Sequence, residues 1–342
     1  MARRPSNDTS SRPVSMADVA RAAGVSQQTV SRVANGLPNV NEQTRRRVQA
    51  AMQELGFRPS YAGRSLRDGR YHSVGLCVND VTKFGNLTMI DGIASAAREH
   101  SCAITLVEMS KTEEFSLAEA TRRMAALPVD GIIIGMSRMA PDFETFDPLP
   151  GIGTVIVTMY AHPRVTTVDS DHYGCSLLLM DHLFELGHEQ IRYIGGPSFS
   201  VDEQFRRAGW QDALERRHIE TVEPLEGDWS ANSGYEAGRY LAERDRTMTA
   251  IYAANDQMAN GAIAALRDSG LRVPEDVSVV GVDDSLGDIV PDRRLATVRF
   301  DNKRVGMWAV DKIAGAEGVE PGVEHMLFPG VLVEGDTVRD WR

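Results

Sequence analysis

Apolar residues follow two different spacings along this chain, and the change from one to the other divides it. Met16, Val19, Ala20, Ala22 and Ala23 fall on one helical face at about 100° per residue, with Asp18 and Arg21 opposite. Ser15 with Asp18 three residues on is a capping-box pattern, and Gly24 can take the positive φ that ends the helix. Ser26 caps a second helix in which Val30, Val33 and Ala34 make a narrow apolar stripe. Asn41 opens a third, with Val48, Ala51, Met52 and Leu55 on its core side and Gly56 after it. The spacing therefore predicts an all-α headpiece over 14–58, and the turn through Gly24 gives its first two helices the form of a helix-turn-helix.

From Tyr71 the spacing changes to short apolar runs separated by amphipathic stretches. HSVGLCV, CAITLVE, DGIIIG and TVIVTM read as buried strands, with helices over 89–100 and 117–127. QIRYIGG, ETVEPLE, TAIYAAN and VSVVGVDD form a second set, with helices around 176–186, 204–217, 233–244 and 259–269. Strands alternating with helices predict α/β structure, here two doubly wound parallel-sheet lobes with a ligand cleft between them.

Charge follows the same division. Residues 1–70 hold twelve Arg and no Lys against five Asp and Glu, whereas the remainder holds 25 basic and 43 acidic residues. The net −11 thus conceals a basic head on an acidic body. Clustered arginines supply the counterion-release term of DNA affinity, and an acidic body leaves the head as the DNA-facing surface. In the second helix Gln27, Gln28, Ser31 and Arg32 form a polar arc opposite the apolar stripe. Gln matches the N6/N7 edge of adenine and Arg the O6/N7 edge of guanine, so the arc suits a major groove.

Other chemistry is sparse. No phosphate-cradling GxGxxG or GxxxxGK[ST] follows a strand, so no cofactor is expected. Cys77, Cys102 and Cys175 are widely spaced within apolar stretches and match no metal motif. The first thirteen residues lack an apolar signal core and read as a disordered arm, and no run reaches the roughly 20 residues of a membrane span. A cytoplasmic protein is expected. Asp283–Asp284 and His182–His188 are the only tempting catalytic pairs, both with ordinary structural readings, so an enzyme is not expected.

The runs DVARAAGVSQQTVSRVANG and AIYAANDQMANGAIAALRDSGLRVPEDVSVVGVDD are similar to the lac repressor family of bacterial transcription regulators, and the resemblance spans 14–342. The second run is particularly close to the lactose-responsive member. The resemblance implies a headpiece, a hinge helix over 59–70 and a core over 71–342 like the periplasmic sugar-binding proteins. The first lobe would take about 71–169 and 300–328, the second about 170–299 and 329–342. It also implies a homodimer on a pseudo-palindromic operator, released by a small molecule in the cleft. A tetramerisation tail of Leu heptads is absent, which fits a dimer.

Matched by position, Gln27, Gln28 and Arg32 fall where the family reads bases, and Ser26, Ser31 and Asn35 where it holds phosphates or base edges. Leu66 falls on the hinge leucine that wedges into the minor groove, with Gly63 where alanine is common. Effector contacts implied by the resemblance are Arg206 for sugar hydroxyls, Trp229 for stacking on a sugar ring, Asn255, Asp283 and, more weakly, Asn79. Asp256 reads as a helix N-cap. Two departures bear on the ligand. Thr158–Met159–Tyr160 replaces the family's usual aspartate, and Phe300 stands where the lactose-responsive member has glutamine. Both remove hydrogen-bond partners, so a differently substituted or larger effector is expected. The function implied is repression of sugar-utilisation genes with release by a small sugar, leaning to a galactoside. The alternative is a co-repressor-dependent regulator answering to a non-sugar metabolite.

Overall fold

The computed structural model describes residues 14–57, 69–109, 116–287, 290, 294–314 and 322–342. The arm over 1–13, and the hinge positions Gly63 and Leu66, lie outside them. The chain falls into two compact units, Met1–Tyr71 and His72–Arg342.

In the first unit α1 (Met16–Ala23), α2 (Gln27–Ala34) and α3 (Glu42–Leu55) form as their caps dictate. The Ser15 hydroxyl accepts from the Asp18 amide, and the Asp18 carboxylate accepts from the Ser15 amide at 3.0 Å. Gly24 leaves α1 at φ 61°. The Ser26 and Asn41 side chains accept from the amides of Thr29 and Thr44. Val19, Ala20, Ala23, Val30, Val33, Val48 and Ala51 make the core. Ala22, expected on the apolar face of α1, is exposed. The packed stripe is narrower than the apolar one, because α2 and α3 cover only the side bearing Val19 and Ala23.

The second unit holds two parallel sheets. One contains β1 (Ser73–Val78), β2 (Ala103–Glu108), β3 (Gly131–Gly135), β4 (Gly153–Val157), β5 (Thr166–Ser170) and β11 (His325–Phe328), in the order β11-β5-β4-β3-β1-β2. Helices α4 (Phe84–Glu99) and α10 (Asn302–Ala314) pack together and share a core with β1, and α5 (Leu117–Ala125) belongs to a second cluster. The other sheet contains β6 (Ile191–Gly195), β7 (Leu225–Glu226), β8 (Ala250–Ala253) and β9 (Ser278–Val280), in the order β7-β6-β8-β9. It packs with α6 (His172–Glu185), α7 (Val201–Arg216), α8 (Ala231–Arg244) and α9 (Asp256–Asp268) around the fully buried Trp210, Tyr193 and Tyr252. An antiparallel pair, β10 (Thr297–Arg299) with β12 (Val331–Val333), completes the described strands.

Several expectations change. CAITLVE becomes β2, a partly exposed edge strand, because β1 pairs it on one side only. Of ETVEPLE only Leu225–Glu226 pairs. The helix expected over 89–100 begins at Phe84. Short strands β5, β10, β11 and β12 were not expected at all. No helix among the described residues is long and apolar enough to cross a membrane.

Candidate functional site

The headpiece presents Ser26, Gln27, Gln28 and Arg32 as exposed residues, with the α2 stripe Val30 and Val33 buried behind them. Ser26 Oγ lies 3.1 Å from the Thr29 amide and 2.9 Å from the Thr29 hydroxyl. Ser31 and Asn35 are half-buried and bound to each other, since Asn35 Nδ2 donates to the Ser31 carbonyl and closes the C-terminus of α2. The structure thus keeps Gln27, Gln28 and Arg32 outward and engages Asn35 inward. A crevice of ≈ 340 Å³ is lined by Ser26, Thr29, Arg32, Asn41 and Thr44. Two helix N-termini and a guanidinium there suit a phosphate. Thr29 and Thr44 were missed by the sequence reading, which weighed only the outward arc of one helix.

In the second unit the strands run parallel, so their carboxyl ends gather at a cleft of ≈ 780 Å³, within the size range of ligand sites. Asn79 enters it after β1, Asp169 from the end of β5, Trp229 after β7, Asn255 after β8 and Asp283 after β9, with Arg206 from α7.

Arg206 is only 4 % exposed and organises the polar wall. Its Nη2 stands 3.2 Å from Asp283 Oδ1, and its Nε and Nη2 donate to His172 Nδ1 at 3.3 and 3.2 Å. Nη1 donates to the Ala254 carbonyl. Burial is the largest single influence and opposes the Arg206 cation, but the groups around it, Asp283 first and Asp202 among the others, together outweigh it, so the pKa lies above the ordinary arginine value. Burial likewise raises Asp283, against the pull of Arg206. Asp283 and Asp284 hold φ of 105° and 51°, backbone that L residues seldom adopt. The Asp283 amide bonded at 2.8 Å to the Val298 carbonyl fixes that conformation, and the carboxylate is aimed at Arg206.

Trp229 also has positive φ, 73°. Its carbonyl accepts from Asn255 Nδ2 at 3.0 Å, and its ring lies against Gly196, where a Cβ would come within 2.2 Å of it. Glu203, fully buried, holds the Gly196 amide at 2.7 Å and so fixes the surface on which the indole rests.

Asn255 keeps the place in the cleft expected of it and also takes the cap expected of Asp256, which does not line the cleft. Asn255 is the N-cap of α9, its Oδ1 accepting from the Met258 amide at 2.9 Å, while it also lines the cleft. Asp256 is 1 % exposed and accepts from the Ser285 amide and the Thr297 hydroxyl at 2.7 Å each. Its carboxyl is pushed up to about 8, first by burial and then by the Asp283 charge. The reason is register: β8 ends at Ala253, two residues before the end of the run TAIYAAN, and the helix already begins at Asp256, so the cap falls on Asn255.

Phe300, expected at the ligand, is not among the residues lining the cleft. It is buried behind it, edge-on to His172 at 4.9 Å and 5.6 Å from the Arg206 guanidinium carbon. Asn79 lines the cleft and leaves its buried Oδ1 without a hydrogen-bond partner. The expected loss of a carboxylate at 158–160 is offset from next door. Thr158 and Met159 are buried, and Asp169, on the strand paired with β4, supplies a carboxylate to the same wall. Asp169, His172 and Asp202 went unrecognised in the sequence. A legible signal was the i,i+4 spacing of Asp202 and Arg206, which puts both on one helical face.

Comparison with known proteins gives the same two parts. Residues 15–60 match the model of bacterial regulatory proteins of the lacI family, and residues 180–338 match the periplasmic binding protein-like domain. The lactose operon repressor of Escherichia coli (strain K12) is 32 % identical over 329 residues, covering 95 % of this chain and 91 % of its own. Among solved structures, the lac repressor dimer bound to operator and the anti-inducer ONPF matches at a TM-score of 0.83 and 30 % identity, over 96 % of this chain and 100 % of that one. The complex of the transcriptional regulator CelR with cellobiose matches at a TM-score of 0.66 and 28 % identity, over 95 % and 100 %. With an outward polar arc on the helix-turn-helix, a cleft at the strand ends and a relative of this identity along nearly its whole length, the chain belongs to the lacI family of bacterial regulatory proteins and is a DNA-binding transcriptional repressor.

Proposed function

We propose that the protein acts as a homodimer on a pseudo-palindromic operator and releases it when a small sugar fills the cleft. Gln27, Gln28 and Arg32 read bases in each half-site, and Ser26 and Ser31 hold the backbone beside them. The stretch 59–70 serves as the hinge, with Leu66 at the dyad, and the genes controlled are those of sugar utilisation.

The observation that carries the effector reading is the pairing of an indole with fixed polar groups at one wall. Arg206 offers donors, Asp283 acceptors and Asn255 an amide beside the Trp229 ring. A sugar has apolar C–H faces and a rim of hydroxyls that both donate and accept, which matches such a wall. The relative solved with cellobiose and the lactose operon repressor support the same class. A galactoside is the favoured subclass.

Release requires the sugar to bind the DNA-free state more tightly than the operator-bound one. The test is operator binding by fluorescence anisotropy against a panel of mono- and disaccharides. Weakening of at least tenfold by one sugar is expected. A panel with no effect sinks the reading, and tightening by a metabolite turns the protein into a co-repressor-dependent regulator.

A further inference from the structure

The cleft holds a polar group that a neutral sugar leaves unused. Asp169, His172 and Asp202 bring their ligand atoms within 4.8 Å of one another. His172 Nδ1 accepts from Arg206, and a guanidinium has only donors, so neutral His172 carries its proton on Nε2. That Nε2 faces Asp169 Oδ1 at 3.8 Å and Asp202 Oδ1 at 3.6 Å, too far to satisfy either carboxylate. Asp169 is 9 % exposed and otherwise receives only the Ser170 amide, at 2.8 Å. The nearest cation, Arg206, is already committed to Asp283. Around them the cleft wall carries six carboxylates against three cations, and the Asn79 amide oxygen is buried without a donor.

The wall therefore has a net negative charge, and its Asp169–Asp202 corner has no hydrogen-bond donor close enough to satisfy both carboxylates. A divalent ion is the first alternative, but the protonated Nε2 presents no lone pair and the guanidinium beside it repels a dication. We propose that the effector carries a primary ammonium group beside its hydroxyls, an amino sugar whose nitrogen sits between Asp169 and Asp202 while its ring faces Trp229. An ammonium has three donors, enough for both carboxylates and one further acceptor. This inference rests on the reading of the cleft as the effector site.

The test is isothermal titration calorimetry of the full chain with galactosamine and glucosamine, their N-acetyl forms and the parent sugars. N-acetylation removes the charge and leaves the ring in place. At least one amino sugar should bind roughly 10- to 100-fold more tightly than its N-acetyl form, the range for a charge-assisted hydrogen bond. Asp202→Asn should bring that ratio towards one. Asp202 is half-buried in the first turn of α7 and its replacement by Asn is nearly isosteric, so the variant should fold, which a melting curve verifies. Asp169→Asn is the second, buried variant and should act the same way. If a parent or N-acetyl sugar binds as tightly and releases operator, the ammonium inference is wrong and the effector reading stands. If no sugar of either kind binds, both fall. Binding of Mn²⁺ or Zn²⁺ alone, abolished by the same substitutions, would make the cluster a metal site and overturn the proposal.

Discussion

The exposed polar face of α2, proposed to read DNA, and the cleft use polar side chains in opposite ways. On α2, Gln27, Gln28 and Arg32 stand exposed on a small unit whose core is mostly valine and alanine. In the cleft, Arg206 and Asp283 are buried and held by hydrogen bonds, with Asp256 buried outside the lining, above a core of large aromatics. An exposed polar arc costs little to fold, and as the proposed reader it would gain its energy from the groove. A buried wall carries its desolvation cost before any ligand arrives and is preorganised as a result. Changes at the cleft should therefore appear first as lost stability, and changes on the headpiece face as altered DNA preference.

The largest expected effect is from Arg206→Ala. It leaves Asp283 buried without its cation and removes donors from His172 and the Ala254 carbonyl, a loss of about 3–5 kcal/mol. Urea unfolding measures it, and a cost below about 1 kcal/mol would show that the wall is not preorganised. Adding Asp283→Asn to Arg206→Met should recover part of the loss, because no charge is then left unpaired.

Asp256 comes next, and its sign runs against that of a salt-bridged carboxylate. Its pKa is about 8 in the folded protein, against about 3.9 unfolded. Its contribution to stability is fully present below the unfolded pKa and is lost as pH rises through the folded one. Between pH 5 and 7.5 the loss should reach up to about 3 kcal/mol, at 1.36 kcal/mol per pH unit. Asp256→Asn should flatten that slope in melting curves. An unchanged slope would place the titration elsewhere, in Asp169, Asp283 or Glu203, whose pKa values are also raised by burial.

The same contrast explains what could be read from the sequence. Helical spacing, Ser15, Gly24 and Ser26 lie within a dozen residues, so the headpiece and its polar arc were legible locally. The cleft is assembled from strand ends spread over two hundred residues. Arg206, Asn255, Asp283 and Trp229 were placed in it by resemblance, not by spacing. Asp169, His172 and Asp202 meet because the end of β5 and the starts of α6 and α7 come together in space, and Asp202 lies too far along the chain from the other two for any helical or strand spacing to link them. Phe300 shows the limit of position matching, since its ring turns to His172 and away from the cavity. Short strands such as β10, β11 and β12 were invisible for the same reason: β10 and β12 pair with each other, and β11 with β5, across long stretches of chain.

On the headpiece, Arg32→Ala should cost about 1–3 kcal/mol of discrimination at one base position per half-site. Selection from randomised operators reads this out. Uniform weakening with a shallower salt dependence would instead mark Arg32 as a phosphate contact.

The smallest effect separates the two jobs available to Ser26. As the cap of α2 it accepts from the Thr29 amide, and Ser26→Ala should cost about 1 kcal/mol of headpiece stability. As a wall of the crevice between the N-termini of α2 and α3 it would also touch phosphate. Ser26→Asp distinguishes these, because aspartate caps as well as serine yet places a negative charge where the operator backbone would lie. A contact role predicts a headpiece that melts like the parent and binds operator more weakly, with the deficit shrinking as salt rises. If the Asp variant both melts and binds like the parent, Ser26 only caps, and the reading surface narrows to Gln27, Gln28 and Arg32.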